Sequence, residues 1–243
     1  MRALPPHCGF GSGTQLALAI ATIASTFAGE SGVPAVELAR RVGRGARSAV
    51  GLYGFEQGGL IVESGHREQG RISPLAARVE FPQEWRFVLV RPKDHVGISG
   101  GEEAGSFARL PGMDPQLSDR LCRIALMEIL PAVTERDFEG SAESIGRFGR
   151  LVGEYFAPVQ GGVFADPRLA NLAERLAKGG IRGVSQTSWG PTVFILRPDE
   201  SSAAALAAEL ARDHELAGCE VTTAAPLNQG ASVENAEIRM TKE

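Results

Sequence analysis

The stretch Pro5-Pro6-His7-Cys8-Gly9-Phe10-Gly11-Ser12-Gly13-Thr14-Gln15 runs without interruption into an apolar segment, residues 16–28. Glycines at the alternate positions Gly9, Gly11 and Gly13 let a backbone approach a ligand closely. Ser12 and Thr14 add hydroxyl donors. The apolar segment predicts a helix over residues 14–28. The first N–H groups of a helix lack internal partners, and its dipole favours negative charge there. Alternating glycines before such a start make a phosphate cradle. Two other glycine loops are excluded. The Walker pattern needs a lysine that this loop does not have. The dinucleotide fingerprint needs its third glycine one residue later. The plainer alternative is a glycine-rich turn capping a helix; Ser12, Thr14 and Gln15 weigh toward the cradle.

The rest of the chain bounds the partners. Its 243 residues are 43% hydrophobic and 22% charged, with a formal charge of −4. No basic excess exists to displace counterions from a nucleic acid, so none is expected as partner. Cys8, Cys122 and Cys219 lie far apart, as do the four histidines, which fits neither a disulfide framework nor a zinc site. A reduced cytoplasm is the expected compartment. One arginine and then a Pro-Pro pair do not make a secretory signal. Residues 16–28 are too short for a bilayer, which takes about 20 residues, so no membrane partner is expected.

Helices are predicted over residues 14–28, 34–42 and 48–57, then strands over 60–63 and 86–91. A loop of glycine and acid follows at 97–105, and Pro111-Gly112 suggests a boundary. Beyond it, helices are predicted over 114–130, 136–156 and 167–178, the last ended by Gly179-Gly180. Strands 181–185 and 192–197, an alanine-rich helix opened by Asp199, and strand 220–224 complete the chain. The tail from Asn228 reads as frayed. This order suits an antiparallel sheet with helices on one face, an α+β arrangement.

The loop resembles the first phosphate-binding motif of GHMP kinases. Its Gly-Ser-Gly-Thr-Gln ending resembles the β-ribofuranosylaminobenzene 5′-phosphate synthase branch in particular. Arg44-Gly-Ala-Arg47-Ser48, Glu154-Tyr-Phe-Ala-Pro-Val-Gln160-Gly-Gly162 and Gly183-Val-Ser-Gln186-Thr-Ser188-Trp189-Gly-Pro-Thr192 resemble further motifs of that branch, in the same order. The resemblance implies a GHMP-kinase-like two-domain α+β fold. Residues 1–112 would form an incomplete N-terminal βαβ phosphate-loop domain and residues 113–243 a C-terminal ferredoxin-like α/β sandwich. It implies a transferase that joins phosphoribosyl pyrophosphate to 4-aminobenzoate, releasing carbon dioxide and pyrophosphate, in tetrahydromethanopterin biosynthesis. The partners would be a phosphorylated sugar and a small aromatic acid, with magnesium as cofactor; a homodimer is one assembly this reading allows. The alternatives are an ATP-dependent small-molecule kinase of the same superfamily and a non-catalytic remnant.

Candidate site residues follow. Gly9, Gly11, Ser12, Gly13, Thr14 and Gln15 would bind phosphate. Arg44 and Arg47, with Ser48, would add guanidinium forks that match phosphate oxygens; the alternative is a solvated basic turn. Gln160, Gln186, Ser188 and Trp189 would line the acceptor pocket. An exposed tryptophan in a polar turn is costly unless it covers something; Trp189 would stack on the aromatic acid or plug an interface. His7 could donate to an anion, or be structural. Glu102 and Glu103 form the acidic pair for magnesium or base chemistry, or a solvated loop. One departure stands out. Only eight residues precede Gly9, where the superfamily has a sizeable sheet. The expectation is uncovered apolar surface and a tendency of this polypeptide to self-associate.

Overall fold

The computed structural model describes residues 8–30, 32–65, 68, 70–94, 105 and 109–233. The chain divides into two compact units: Thr14–Ala77 with Asn228–Glu243, and Met1–Gly13 with Arg78–Leu227.

The smaller unit holds most of α1 (Ser12–Phe27), then α2 (Ala35–Arg41), α3 (Val50–Gln57) and β1 (Leu60–Glu63), which pairs with β2 (Leu75–Val79). Leu18, Ala21, Leu38, Ala39, Leu52 and Tyr53 form its core. The Tyr53 hydroxyl reaches the core's edge and donates to the Ser73 carbonyl at 2.9 Å. In α1 the hydroxyls of Thr22 and Thr26 donate back to the carbonyls of Leu18 and Thr22 at 2.8 and 2.9 Å, which hides polar atoms in an otherwise apolar helix. Leu16, Ile20, Ile23 and Phe27 of α1 form an exposed stripe at helical spacing, Phe27 being 88% accessible, apolar surface of the kind expected to lie uncovered. Strand β2 was not foreseen, because Leu75-Ala-Ala-Arg-Val79 has one β-branched residue and no strict alternation; pairing with β1 decides it. The tail is also less free than expected, since the Ala231 N–H donates to the Phe55 carbonyl at 2.7 Å.

The larger unit holds β3 (Arg86–Pro92), α4 (Pro115–Ile124), a π-helical turn Ala125–Ile129, α5 (Leu130–Thr134), α6 (Phe138–Gln160), α7 (Pro167–Lys178), β4 (Val184–Gln186), β5 (Val193–Arg197), α8 (Glu200–Leu210), a 3₁₀ turn His214–Leu216 and β6 (Cys219–Ala224). The single helix predicted over 114–130 is split. Pro131 has no N–H to give the carbonyl of Met127, and the wider π register falls just before it.

The sheet order is β4-β5-β3-β6, with every neighbour antiparallel. Val88 lies opposite Ile195 and Val90 opposite Val193. Alternation puts all four on one face, under Leu169, Leu172 and Leu176 of α7 and Ala203, Leu206 and Leu210 of α8. Each such side chain is worth about 1.5–3 kcal/mol on burial. Helix α6 lies against the edge strand β4 through glycines. A Cβ on Gly149 would fall 1.9 Å from the Ser185 hydroxyl, and one on Gly146 would fall 3.3 Å from the Gly183 nitrogen. Because β3 sits between β5 and β6, the compact units do not divide at Pro111-Gly112. The strand at 86–92 belongs with the C-terminal sheet, not with the helices that precede it.

Candidate functional site

Gly9 and Gly11 both take left-handed backbone angles, φ +81° and +63°, a region open to glycine at no steric cost. Gly9 also has no room for a side chain, since a Cβ would lie 2.1 Å from the Thr187 hydroxyl. One residue earlier, the Cys8 carbonyl accepts from the hydroxyls of Thr192 at 2.8 Å and Thr187 at 3.4 Å. The buried Cys8 thiol lies 4.0 Å from Nη1 of Arg91, whose Nη2 pairs with Glu220 at 2.6 Å. That hydrogen bond to Glu220 holds the Arg91 guanidinium pKa above its ordinary value. The loop is thus fastened on one side to the turn after β4. On the other side the N–H groups of Gly9, Phe10 and Gly11 donate to nothing among the described residues.

The start of α1 differs from those of the other helices except α5, which continues directly from the π-helical turn and has no side-chain cap either. Asp114, Asp137, Asp166 and Asp199 cap α4, α6, α7 and α8, each accepting from a first-turn N–H. Two starts are filled from a distance. Glu56 accepts from the Ala35 N–H of α2 at 3.1 Å, and Glu63 accepts from the Ala49 N–H, at the start of α3. No acid lies in the first turn of α1, and among the described residues no side chain accepts from its first N–H groups. An uncapped dipole end of this kind favours an anion.

The other predicted residues fare differently. The Ser48 hydroxyl donates to Glu63 at 2.8 Å, so Ser48 and the start of α3 are occupied by an internal carboxylate, contrary to the expected anion site there. Arg44 is exposed and its side chain has no partner among the described residues, whereas Arg47 has one. The Gln15 amide donates to the Gly51 carbonyl at 2.7 Å, tying α1 to α3 rather than facing the loop. Trp189 is 3% accessible and stacks on Phe156 with centroids 4.2 Å apart, so it is not the exposed ring expected. Gln186 accepts from the Ala165 N–H at 2.7 Å and donates to Gln160 at 3.2 Å and to the Ser188 carbonyl at 3.1 Å. Gln160 in turn donates to the carbonyls of Gly162 and Val163. This amide network joins the end of α6 to the turn after β4. Ser188 sits exposed at the tip of that turn, at φ +47°. His7, Glu102 and Glu103 lie outside the described residues.

Sequence reasoning missed Thr187, Thr192 and Glu63. The two threonines stood inside a quoted motif, and their hydroxyls were its unused signal. A cavity of about 730 Å³ between α6 and α7, edged by Arg147, Arg150, Lys178 and Arg182, contains none of the predicted site residues.

An antiparallel four-stranded sheet under paired helices, with a glycine loop opening a helix, defines a GHMP-kinase-like fold. Residues 129–215 match the family described as GHMP kinases C terminal. It is 32% identical over 202 residues to the β-ribofuranosylphenol 5′-phosphate synthase of Methanothermobacter thermautotrophicus, covering 78% of this chain and 60% of that protein. Against the protein of the same name from Methanocaldococcus jannaschii the identity is 30% over 207 residues, with the same coverage. The chain therefore spans about 60% of the length of these relatives. Among solved structures, a homoserine kinase from Cytophaga hutchinsonii superimposes with a TM-score of 0.60 at 14% identity, over 94% of this chain and 69% of the other. A mevalonate pyrophosphate decarboxylase from Streptococcus pyogenes gives 0.66 at 12%, over 94% and 69%. Among the described residues, no helix is long and apolar enough to cross a membrane.

Proposed function

We propose that this chain contributes the pyrophosphate-binding part of a decarboxylating phosphoribosyltransferase, joining phosphoribosyl pyrophosphate to a para-substituted benzoate. The observation that carries this reading is the start of α1, whose glycine-lined N–H groups have no acceptor among the described residues while the other capped helix starts hold a carboxylate. The names of the synthases it resembles supply the ribofuranosyl product class.

The chemistry balances without a redox partner. The bond from the anomeric carbon to pyrophosphate breaks, and pyrophosphate leaves with the electron pair. The ring carbon that bears the carboxylate bonds to the anomeric carbon. Its carboxylate then leaves as carbon dioxide and returns its electrons to the ring. Negative charge grows on the leaving group, so donors fixed at the α1 start would stabilise it as it departs. Arg44 would add a charge-assisted contact. The acceptor must be held with its reacting carbon near the anomeric carbon. No ring proton is removed, and Glu102 and Glu103 would either hold magnesium or act as a base toward the para substituent. Magnesium would arrive with the pyrophosphate, whose charge it would help to neutralise. The described residues gather no cluster of three or more His, Cys, Asp or Glu side chains to hold it alone, and no step is routed through it.

The test incubates the chain, and a form extended at its N-terminus, with phosphoribosyl pyrophosphate and either 4-aminobenzoate or 4-hydroxybenzoate. Coupled release of carbon dioxide and pyrophosphate supports the reading, and the better acceptor identifies the para substituent. ADP from ATP and a small alcohol would make the chain a kinase instead. Neither activity in the extended form would leave a non-catalytic remnant.

A further inference from the structure

We infer that Thr192, seconded by Thr187, is a positioning residue that aims the glycine loop at its anion; this rests on the pyrophosphate reading above. The Cys8–Gly9 bond is trans, the one cis bond among the described residues being Gly190–Pro191. In a trans peptide the C=O and the N–H point in opposite directions within one rigid plane. The Cys8 carbonyl is held by the Thr192 hydroxyl at 2.8 Å and the Thr187 hydroxyl at 3.4 Å. The Gly9 N–H is therefore turned away from both threonines, and it donates to nothing among the described residues.

Thr192 is suited to the task. It is 0% accessible, it sits directly before β5, and its own carbonyl accepts from the Thr187 N–H at 2.9 Å and lies 3.1 Å from the Thr187 hydroxyl, whose one proton is shared between this carbonyl and that of Cys8. The two threonines thus hold each other as well as the loop. Gly9 completes the fit, because any side chain there would displace the Thr187 hydroxyl. Neither threonine needs to touch the anion; both act through the backbone of Cys8.

The test uses ¹⁵N-labelled full chain, wild type and the variants Thr192→Val, Thr192→Ser and Thr187→Val. Two readouts are taken: the Gly9 amide resonance without ligand, and the affinity for inorganic pyrophosphate by calorimetry. Thr192→Val is expected to move the Gly9 resonance and weaken pyrophosphate roughly three- to tenfold, the worth of one net hydrogen bond. Thr192→Ser, which keeps the hydroxyl, should restore both. Thr187→Val should do less, in keeping with its longer bond. A Gly9 resonance unmoved by Thr192→Val overturns the inference, as does a moved resonance with unchanged affinity. If the wild type does not bind pyrophosphate, the proposed function fails by itself, and the Gly9 resonance still decides whether Thr192 aims the loop.

Discussion

The starts of α1 and α3 look alike in sequence and differ in the fold. Both follow glycine-containing turns with hydroxyl residues, and both were read as anion sites. At α3 the place of the anion is filled by Glu63, brought up by β1 to accept from Ser48 and the Ala49 N–H. At α1 no such acid arrives among the described residues, and the loop is pulled the other way by two threonines. The difference teaches that an exposed helix dipole is not a property of the helix alone. It depends on whether a later segment of chain brings a carboxylate to it.

The largest expected effect comes from making α1 resemble the others. Gly11→Asp puts an acid at its start, at a φ that aspartate tolerates better than most residues, with open space for the side chain. Repulsion at a few ångströms amounts to about 4 kcal/mol at an effective dielectric of 20. Pyrophosphate affinity should fall on the order of a hundredfold or more, while the thermal midpoint holds or rises. A calorimetric titration showing unchanged affinity would break the comparison at its centre.

Arg44→Ala asks whether the turn before α3 serves a ligand even though the helix start is filled. Loss of one charge-assisted hydrogen bond costs about 1.5–3 kcal/mol. The phosphorylated sugar should therefore bind ten- to a hundredfold more weakly, with the aromatic acid unaffected. Equal losses for both, or none, would make Arg44 surface charge.

Glu63→Ala empties the start of α3. Two donors lose their acceptor, and denaturant unfolding should show a loss of about 1–2 kcal/mol. An unchanged midpoint would mean that water replaces Glu63 without cost.

The smallest effect is in acid. The Ser202 N–H, with the Ser202 hydroxyl second, holds the Asp199 carboxyl below its usual range. A depressed folded-state pKa gives stability that is present above the unfolded pKa and is lost as pH falls through the folded one. Asp199→Asn should thus make the melting temperature fall slightly less between about pH 6 and about pH 3. An identical acid profile would show that this cap adds nothing that water does not.

Local signals carried most of the fold. Asp166 before Pro167 and Gly179 after Lys178 set the bounds of α7 at both ends, and the alternation through β3 and β5 was readable as it stood. What escaped were the non-local decisions. Glu63 and the Ser48–Ala49 turn meet only when β1 folds back, and Trp189 finds Phe156 only when α6 lies against the turn after β4. For the same reason the loop at residues 9–13 was recognisable as a cradle, while the threonines that hold it, nearly the whole chain away, were not. Uncovered apolar surface was expected, but not that Leu16, Ile20, Ile23 and Phe27 would carry it, because composition shows that a helix is apolar but not which side has a neighbour.

The place of β3 has a consequence for how the chain comes to be folded. It is made early, yet both strands that flank it are made late: Phe87 lies opposite Leu196 on one side and Ala224 on the other. During synthesis β3 leaves the ribosome with both edges unpaired and waits for almost the whole of the remaining chain. Contacts between such distant segments form slowly, since a long loop must close before any pairing rewards it. Unpaired apolar strands are the surfaces that recruit the wrong partner in that interval. Release of a chain that stops before Cys219 should therefore yield aggregate or chaperone-bound protein, and hydrogen exchange in β3 should fall only after β6 has emerged.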